Sequence, residues 1–257
     1  MSLRYLILSD IHGNKEALDA VLKDARGKYD HAISCGDLCD YGPDSNYVID
    51  WARANLAAVI RGNHDRVCAG LDTLDQFTDL AQASAIWTME HLTPANRTYI
   101  RELPRGPLLV NHALVLVHGS PRDEDEYVTN IKQVSDIFSF LAAHVESDIS
   151  GLPFFFGHTH MQGLYLRAEG RTRGISPPLT PMPEVRVGLE KGTAYLINPG
   201  SVGQPRDGDP RAAYAIFNSG THEVALRRVP YNHVATGRKI AAAGLPHKLG
   251  IRLAVGR

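Results

Sequence analysis

The sequence predicts an α/β fold with two β-sheets in one domain. Short apolar runs alternate with stretches of helical apolar spacing over residues 4–63, which is typical of a parallel sheet covered by helices. After residue 150 the apolar runs follow one another with tight turns between them, which indicates a mixed or antiparallel sheet. No linker-like stretch divides the 257 residues, so we expect a single domain over residues 1–257.

Elements in the first half follow from periodicity and capping signals. The run "RYLILSD" predicts a strand, and "KEALDAVLKDA" behind it predicts a helix, because its apolar residues recur every three or four positions. Ser45 is the predicted N-cap of a second helix, and Thr93 followed by Pro94 is typical of another helix start. Further strands are predicted at residues 30–37, 56–63 and 113–120, and further helices at 45–55, within 75–103 (two) and at 131–144.

Five strands are predicted in the second half of the chain. They correspond to the runs "PFFFGHTH", "QGLYLRA", "TAYLINPG", "RAAYAIFN" and "HEVALRRV". Residues 171–192 contain four prolines and show no clear period, so we interpret them as a long hairpin excursion.

Composition and charge exclude several classes of protein. Hydrophobic residues make up 44% and charged residues 21%, which supports a packed core and argues against disorder. The net charge of −1 lacks the basic excess of proteins that bind nucleic acid through its phosphates, so no such partner is expected. Cys35, Cys39 and Cys68 are interpreted as buried thiols rather than a disulfide framework or a zinc site. Without a signal peptide or a membrane-length apolar run, we expect a cytoplasmic protein with no membrane partner.

Polar residues of a few types follow the predicted strands. Ligands of open α/β sheets bind beyond the carboxyl ends of the strands, so these positions are the candidate site. Most have a glycine beside them, which allows a sharp turn and a close approach of the backbone. The residues are Asp10, His12, Asp37, Asp40, Asn63, His64, Asp65, His118, His158 and His160.

The chemistry of these side chains favours metal binding. Carboxylates, an amide oxygen and imidazoles together suit Mn, Fe, Zn and similar divalent ions. Seven such groups exceed what one ion needs, whereas two ions bridged by one carboxylate would use them all. Each motif alone often only turns a loop, and a single histidine such as His118 is more often a surface or core residue. Five motifs in order, each behind a strand, favour a two-metal site.

These five motifs, "SDIHGN", "GDLCDYGP", "RGNHD", "VHGS" and "GHTH", resemble the calcineurin-like metallophosphoesterase superfamily. Together with "INPGSVGQPRDGDPRAAYAIF", they resemble its compact bacterial and archaeal phosphodiesterases. The resemblance implies a four-layer αββα sandwich of two mixed β-sheets flanked by helices, with a dinuclear centre at the sheet edge. It implies that Asp10, His12 and His160 hold one ion, that Asn63, His118 and His158 hold the other, and that Asp37 bridges both.

The resemblance also implies roles beyond metal binding. His64 would face the scissile phosphate and act as a catalytic residue, oriented by a hydrogen bond that it donates to Asp40. The sequence departs from the protein phosphatases of the superfamily at Tyr41, where they carry a phosphate-binding arginine. This departure favours diesters and other small phosphate esters over phosphoproteins. Arg61 and Arg206 are alternative candidates for a phosphate contact.

The function implied is hydrolysis of phosphodiester or small phosphate-ester bonds by a bridging hydroxide that two divalent ions activate. The ions would be Mn, Fe, Zn or Ni, with Mn favoured. Two alternatives stay open at this stage: a nuclease, since the superfamily contains DNA-cleaving members, and a non-catalytic metal-binding interaction module of the same fold. The near-neutral charge argues against the first, and the presence of every motif residue argues against the second.

Overall fold

The computed structural model describes residues 2–175 and 182–257. Within them, two sheets of six strands each lie in the chain together with helices. The strands are β1 (Arg4–Leu8), β2 (His31–Ser34), β3 (Leu56–Val59), β4 (Leu108–Val110), β5 (Leu114–Leu116), β6 (Phe154–Phe155), β7 (Gly163–Ala168), β8 (Arg171–Ile175), β9 (Glu184–Gly188), β10 (Ala194–Asn198), β11 (Ala212–Asn218) and β12 (Glu223–Val229). The helices are α1 (Lys15–Ala25), α2 (Ser45–Asn55), α3 (Asn63–Cys68), α4 (Asp79–His91), α5 (Pro94–Arg101), α6 (Ile131–His144), α7 (Ser147–Ser150), α8 (His233–Ala242) and α9 (His247–Leu253).

Both sheets are mixed. The first has the order β3-β2-β1-β11-β12-β9, with β1, β2 and β3 parallel and the other neighbours antiparallel. The second has the order β4-β5-β6-β10-β7-β8, with β5, β6 and β10 parallel. Apart from β10, the parallel strands come from the parts of the chain in which strands and helices alternate, because a parallel pair needs a crossover connection.

Side chains on alternate residues of the central strands divide the core into layers. In β1, Tyr5 and Ile7 face the second sheet, whereas Leu6 and Leu8 face a layer of helices. Phe155 likewise lies between the two sheets. These strands form continuous apolar runs in the sequence because both of their faces are buried.

Helices cover the outer face of each sheet. Leu18 of α1 and Val48 of α2 pack against the outer face of the first sheet. Val134 and Phe138 of α6 pack against the outer face of the second. The order helix, sheet, sheet, helix is the four-layer αββα sandwich, so the predicted fold class is confirmed.

Most predicted elements are present, and three details differ. Asp44, not Ser45, precedes α2; the Ser45 hydroxyl instead accepts a hydrogen bond from the Asp40 amide at 3.2 Å. The predicted hairpin over 171–192 is wrong, because β8 pairs in the second sheet and β9 in the first. Residues 176–181 of that segment lie outside the described residues. The helices α8 and α9 were not predicted.

Loops at one edge of the sandwich join the two sheets. The amides of Val202 and Gly203, after β10, donate to the carbonyls of Ser9 and Asp10, after β1, each at 3.0 Å. The carboxyl ends of β1, β2, β3, β5 and β6 meet at this edge. In the described part of the chain, no helix is both long enough and apolar enough to cross a bilayer.

We expect the core between the sheets to dominate stability. Ile197 is fully buried there, so Ile197→Ala should lower the free energy of unfolding by roughly 2–5 kcal/mol through lost contacts and a cavity. Ile86→Ala is the matched control, because Ile86 is 46% exposed on α4. Urea titration of both variants measures the difference. Equal, small losses would contradict the assignment of this layer as the central core.

Candidate metal centre

All seven predicted ligand residues lie at the edge where the strands end. Asp10 follows β1, Asp37 follows β2, and His118 follows β5, so the sheets themselves carry them to one place. His158 and His160 come from the loop after β6, and Asn63 is the first residue of α3. Their ligand-type atoms form two adjacent groups. One contains Asp10, His12, Asp37 and His160, and the other contains Asp37, His118 and His158.

Asp37 belongs to both groups. Its Oδ2 lies 3.6 Å from His12 Nε2 on one side and 3.4 Å from His118 Nε2 on the other. In the first group, His160 Nε2 lies 3.4 Å from Asp10 Oδ1. Asn63 completes the second group, because its Oδ1 lies 3.1 Å from His118 Nε2. One carboxylate is therefore positioned to touch two ions.

Backbone carbonyls fix the orientation of the imidazoles. The Nδ1 atoms of His12 and His118 lie 2.9 Å and 2.8 Å from the carbonyls of Cys39 and Cys35. His160 Nδ1 lies 2.6 Å from the carbonyl of Gln204. A carbonyl only accepts, so these Nδ1 atoms carry hydrogens, and each ring in its neutral form presents the Nε2 lone pair to the centre.

His158 uses the opposite nitrogen. Its Nε2 lies 3.2 Å from the carbonyl oxygen of Asp125, so Nε2–H donates there and Nδ1 keeps the lone pair. Its backbone amide donates to Asp10 Oδ1 at 3.1 Å, which joins the loop of the second sheet to a carboxylate of the first.

The donor atoms fit divalent cations. The Oδ2 atoms of Asp10 and Asp37 are buried and have no hydrogen-bond partner among the described residues. The Nε2 atoms of His12 and His160 lie 3.2 Å apart, so two lone pairs face each other. Buried acceptors in such an arrangement are costly unless a cation or a proton lies between them. Two carboxylates, four imidazoles and one amide oxygen form a donor set that suits first-row divalent metals.

Burial changes the pKa values of the candidate ligand side chains. It raises the pKa of Asp10 to about 6 and lowers the pKa of His12, His158 and His160, so these imidazoles stay neutral. Burial would also lower the pKa of His118, but the Asp37 carboxylate overrides it and raises that pKa to about 10. A cation at this position therefore competes with a proton on His118.

The backbone at the centre adopts conformations that glycine usually occupies. Asp10, His12, Asp37, His158 and His160 all have φ between 49° and 64°. Non-glycine residues rarely adopt this left-handed region, and strained backbone tends to cluster at functional sites.

A glycine is needed where a loop passes a ligand carboxylate. A Cβ on Gly62 would lie 2.0 Å from Asp37 Oδ1, and one on Gly157 would lie 2.8 Å from Asp10 Oδ2. Both glycines precede motif residues, so the sequence signal of glycine beside a ligand has a steric cause.

His64 and Asp40 form a buried pair beside the centre. His64 Nδ1 lies 2.6 Å from Asp40 Oδ2, and the His64 amide donates to Asp37 Oδ1 at 3.0 Å. Ser84 Oγ and the Tyr41 amide donate to the other oxygen of Asp40. Burial opposes the charged form of His64, but the Asp37 and Asp40 carboxylates raise its pKa.

A cavity of about 640 Å³ opens beside the two groups. Asn63, His64 and His158 line its inner end, and Tyr41 and Arg206 line its wall. The imidazole of His64 stacks 4.4 Å from the ring of Phe77, which also lines the cavity. A ligand in this cavity would contact His64 and, through His158 and Asn63, the second group.

The two arginines considered as phosphate contacts differ in their positions and partners. Arg206 lines the cavity, whereas Arg61 pairs with Glu124 at 3.1 Å and is not among its lining residues. Glu124 also pairs with Arg66 at 2.6 Å and Arg105 at 3.4 Å. The acidic run 122–126 is thus partly an ion-paired cavity rim, which also contacts His158 through the Asp125 carbonyl.

Sequence reasoning named Asp65 as a candidate site residue but missed its role, and it missed two residues of the cavity. Asp65 accepts hydrogen bonds from the amides of Leu38, Cys39 and Gly62 and so fixes the loop that carries Asp37. It lies in the "RGNHD" motif, which could have signalled this role. Tyr127 and Arg252 line the cavity from the rim loop and from α9, and nothing in their sequence context marks them.

A profile of the calcineurin-like phosphoesterase family matches residues 3–170. This range includes all seven ligand-type residues. The chain belongs to the calcineurin-like phosphoesterase family. The crystal structure of a metallophosphoesterase from Sphaerobacter thermophilus is similar to this chain, with 35% sequence identity and a TM-score of 0.85. The match covers 100% of both chains.

Two curated proteins give further comparisons for this phosphoesterase. An uncharacterised protein of Methanocaldococcus jannaschii is 31% identical over 98% of this chain and 97% of its own length. Serine/threonine-protein phosphatase 1 of Salmonella typhimurium is 30% identical, but over only 37% of this chain and 46% of its own length. A hypothetical protein of Pyrococcus horikoshii OT3 shares the fold, with a TM-score of 0.75 at 18% identity over 99% of this chain and 98% of that one.

We expect about two divalent ions per chain in fully loaded protein. Asp37→Ala should lose more metal than Asp10→Ala, because Asp37 belongs to both ligand-type groups and Asp10 to only one. Elemental analysis of metal-loaded, desalted variants measures this.

Asp24→Ala is the matched control, since Asp24 lies on α1, pairs with Arg227 at 3.1 Å and belongs to neither ligand-type group. This variant should keep its metal, with folding of all variants checked by thermal melting. Metal loss from Asp37→Ala no greater than that from Asp10→Ala would refute a bridging role for Asp37.

Proposed function

We propose that the protein is a dinuclear metal-dependent phosphoesterase that hydrolyses phosphodiesters or other small phosphate esters. The observation that carries the proposal is the pair of ligand-type groups sharing Asp37, with His64 beside them at the inner end of an open cavity. Family membership supports hydrolysis as the reaction class.

The proposed roles follow from donor chemistry. Asp10, His12 and His160 would hold one ion, Asn63, His118 and His158 the other, and Asp37 both. The absence of a thiolate from this set and its carboxylate, imidazole and amide donors favour manganese. Two bound divalent ions would supply Lewis acidity and a water of lowered pKa.

His64 is the proposed catalytic residue that acts on the leaving group. Its Nδ1–H donates to Asp40, so the ring is held in one orientation and its Nε2 is left for the substrate. In the protonated form Nε2 holds a proton that it can give to the departing oxygen. Asp40 is a positioning residue, and its second oxygen is engaged by Ser84 and the Tyr41 amide, which prevents it from turning away.

The cavity wall supports a preference for small esters. Tyr41 stands where protein phosphatases of the superfamily carry a phosphate-binding arginine, and its ring packs 4.7 Å from those of His12 and His64. It therefore adds apolar surface beside the candidate catalytic histidine. The similarity to a Salmonella protein phosphatase covers only part of either chain, so it makes a phosphoprotein substrate the alternative to test.

We expect metal-loaded protein to hydrolyse bis(p-nitrophenyl) phosphate and to act weakly or not at all on phosphoserine peptides. The measurement is kcat/KM for both substrates, with Asp37→Ala as the inactive control that excludes a contaminating enzyme. Efficient release of phosphate from the peptides without diesterase activity would overturn the substrate class.

We expect His64→Ala to keep its metals and its fold while turnover falls by roughly 10²–10⁴-fold, the usual contribution of a general acid. Asp40→Asn should lose less, because it only orients the imidazole. Both losses should shrink for a good leaving group such as nitrophenol compared with an alkyl ester, since less proton donation is needed.

The controls are metal content and His144→Ala, which removes an exposed histidine at the end of α6. If His64→Ala releases an ion, or leaves turnover of the alkyl ester unchanged, the role proposed for His64 is wrong.

A further inference from the structure

Two arginines line the cavity without an acidic side chain as partner. They are Arg206 and Arg252, and within residues 2–175 and 182–257 no Asp or Glu lies within ion-pair distance of either. The acidic residues on the same wall are already engaged, because Arg66 pairs with Asp72 at 2.7 Å and with Asp125 at 2.8 Å. The cavity therefore presents two cations that no acidic side chain pairs with directly.

Neutral groups hold Arg206 in place. Its guanidinium donates to the hydroxyl of Tyr127 at 3.2 Å, to that of Tyr41 at 3.5 Å and to Gln204 Oε1 at 3.0 Å, and it lies 5.8 Å from the centre of the Tyr41 ring. These contacts fix its orientation without neutralising its charge. Arg206 lies beside the first ligand-type group, because its backbone amide donates to the carbonyl of His160 at 3.2 Å.

Arg252 lies further from the ligand groups. It comes from α9, and its Nε donates to the main-chain oxygen of Arg257, which leaves both terminal nitrogens for other partners. Burial and the neighbouring Arg206 lower the pKa of Arg252, so the two cations repel each other. Like charges brought together in a partly buried site are unfavourable unless anions accompany them.

A phosphate group is the anion that best fits each arginine. Arg206 is already oriented by its tyrosines and by Gln204, and it keeps one Nη1 hydrogen for a phosphate oxygen. Arg252 keeps both terminal nitrogens, so it can bind a phosphate through two hydrogen bonds. The cavity volume of about 640 Å³ lies within the range of pockets for small organic ligands and exceeds the needs of a single phosphate.

We propose that Arg206 binds the phosphate that is hydrolysed and that Arg252 binds a second phosphate of the same molecule. The preferred substrates are then small esters that carry two phosphate groups. This inference rests on the proposed phosphoesterase function and names its substrate class.

The test compares two substrates that share a leaving group. They are thymidine 5′-(p-nitrophenyl phosphate) and the same compound with a 3′-phosphate. A hydrogen bond to a charged group contributes roughly 10- to 100-fold to an equilibrium constant, so the wild type should show a kcat/KM higher by about that factor for the 3′-phosphorylated compound. Arg252→Gln should abolish this preference, and Arg252→Lys should retain part of it.

The other variants separate the two arginines. Arg206→Gln should lower kcat/KM on both substrates. Arg238→Gln, which removes an exposed arginine on α8 away from the cavity, should change neither. Calorimetric titration of metal-free protein with thymidine 3′,5′-bisphosphate and thymidine 5′-monophosphate gives a readout independent of turnover. The bisphosphate should bind at least about 10-fold more tightly, and this advantage should disappear in Arg252→Gln.

The outcomes distinguish the inference from the proposed function. If nitrophenol is released equally fast from both substrates, or if Arg252→Gln slows both equally, the second-phosphate site is wrong and the phosphoesterase function stands. If neither substrate is cleaved but the bisphosphate still binds more tightly through Arg252, the anion site stands and the function is wrong. A single-phosphate substrate unaffected by Arg206→Gln would overturn the role of Arg206.

Discussion

The carboxylate of Asp37 is the contact on which the rest of the site depends. One oxygen accepts the amide of His64, and the other lies between the imidazoles of His12 and His118. The first contact fixes the start of α3, and with it the position of Asn63. The second contact places the negative charge of Asp37 between candidate ligands from the two sheets. Asp65 supports this arrangement by binding the amides of the loop that carries Asp37.

The loop after β10 makes three contacts that connect the site with β12. The carbonyl of Gln204 orients His160, the side chain of Arg206 lines the cavity, and Asp207 pairs with Arg228 on β12 at 3.0 Å. A displacement of β12 would therefore reach both a metal-ligand candidate and a candidate phosphate contact. This coupling explains why the last part of the chain, far from the five motifs in sequence, belongs to the site.

Much of the fold and of the ligand set could be predicted from the sequence. Strand positions followed from apolar runs, and Asp10, Asp37 and His118 followed from the rule that polar residues at strand ends meet at one edge. The features that could not be predicted depend on tertiary contacts. No local pattern indicates that β8 and β9 pair in different sheets, or that Arg61 is neutralised by Glu124. Tyr127 and Arg252 reach the cavity only through the packing of distant segments.

The left-handed backbone conformation of the candidate ligand residues lowers stability at positions that the proposed activity needs. Glycine at Asp10 or His160 would relieve roughly 1–2 kcal/mol of strain, offset in part by its larger entropy in the unfolded chain, and would remove a buried polar group. The acids and imidazoles therefore occupy these positions at a cost in backbone strain, which a bound divalent ion would offset by stabilising the folded state.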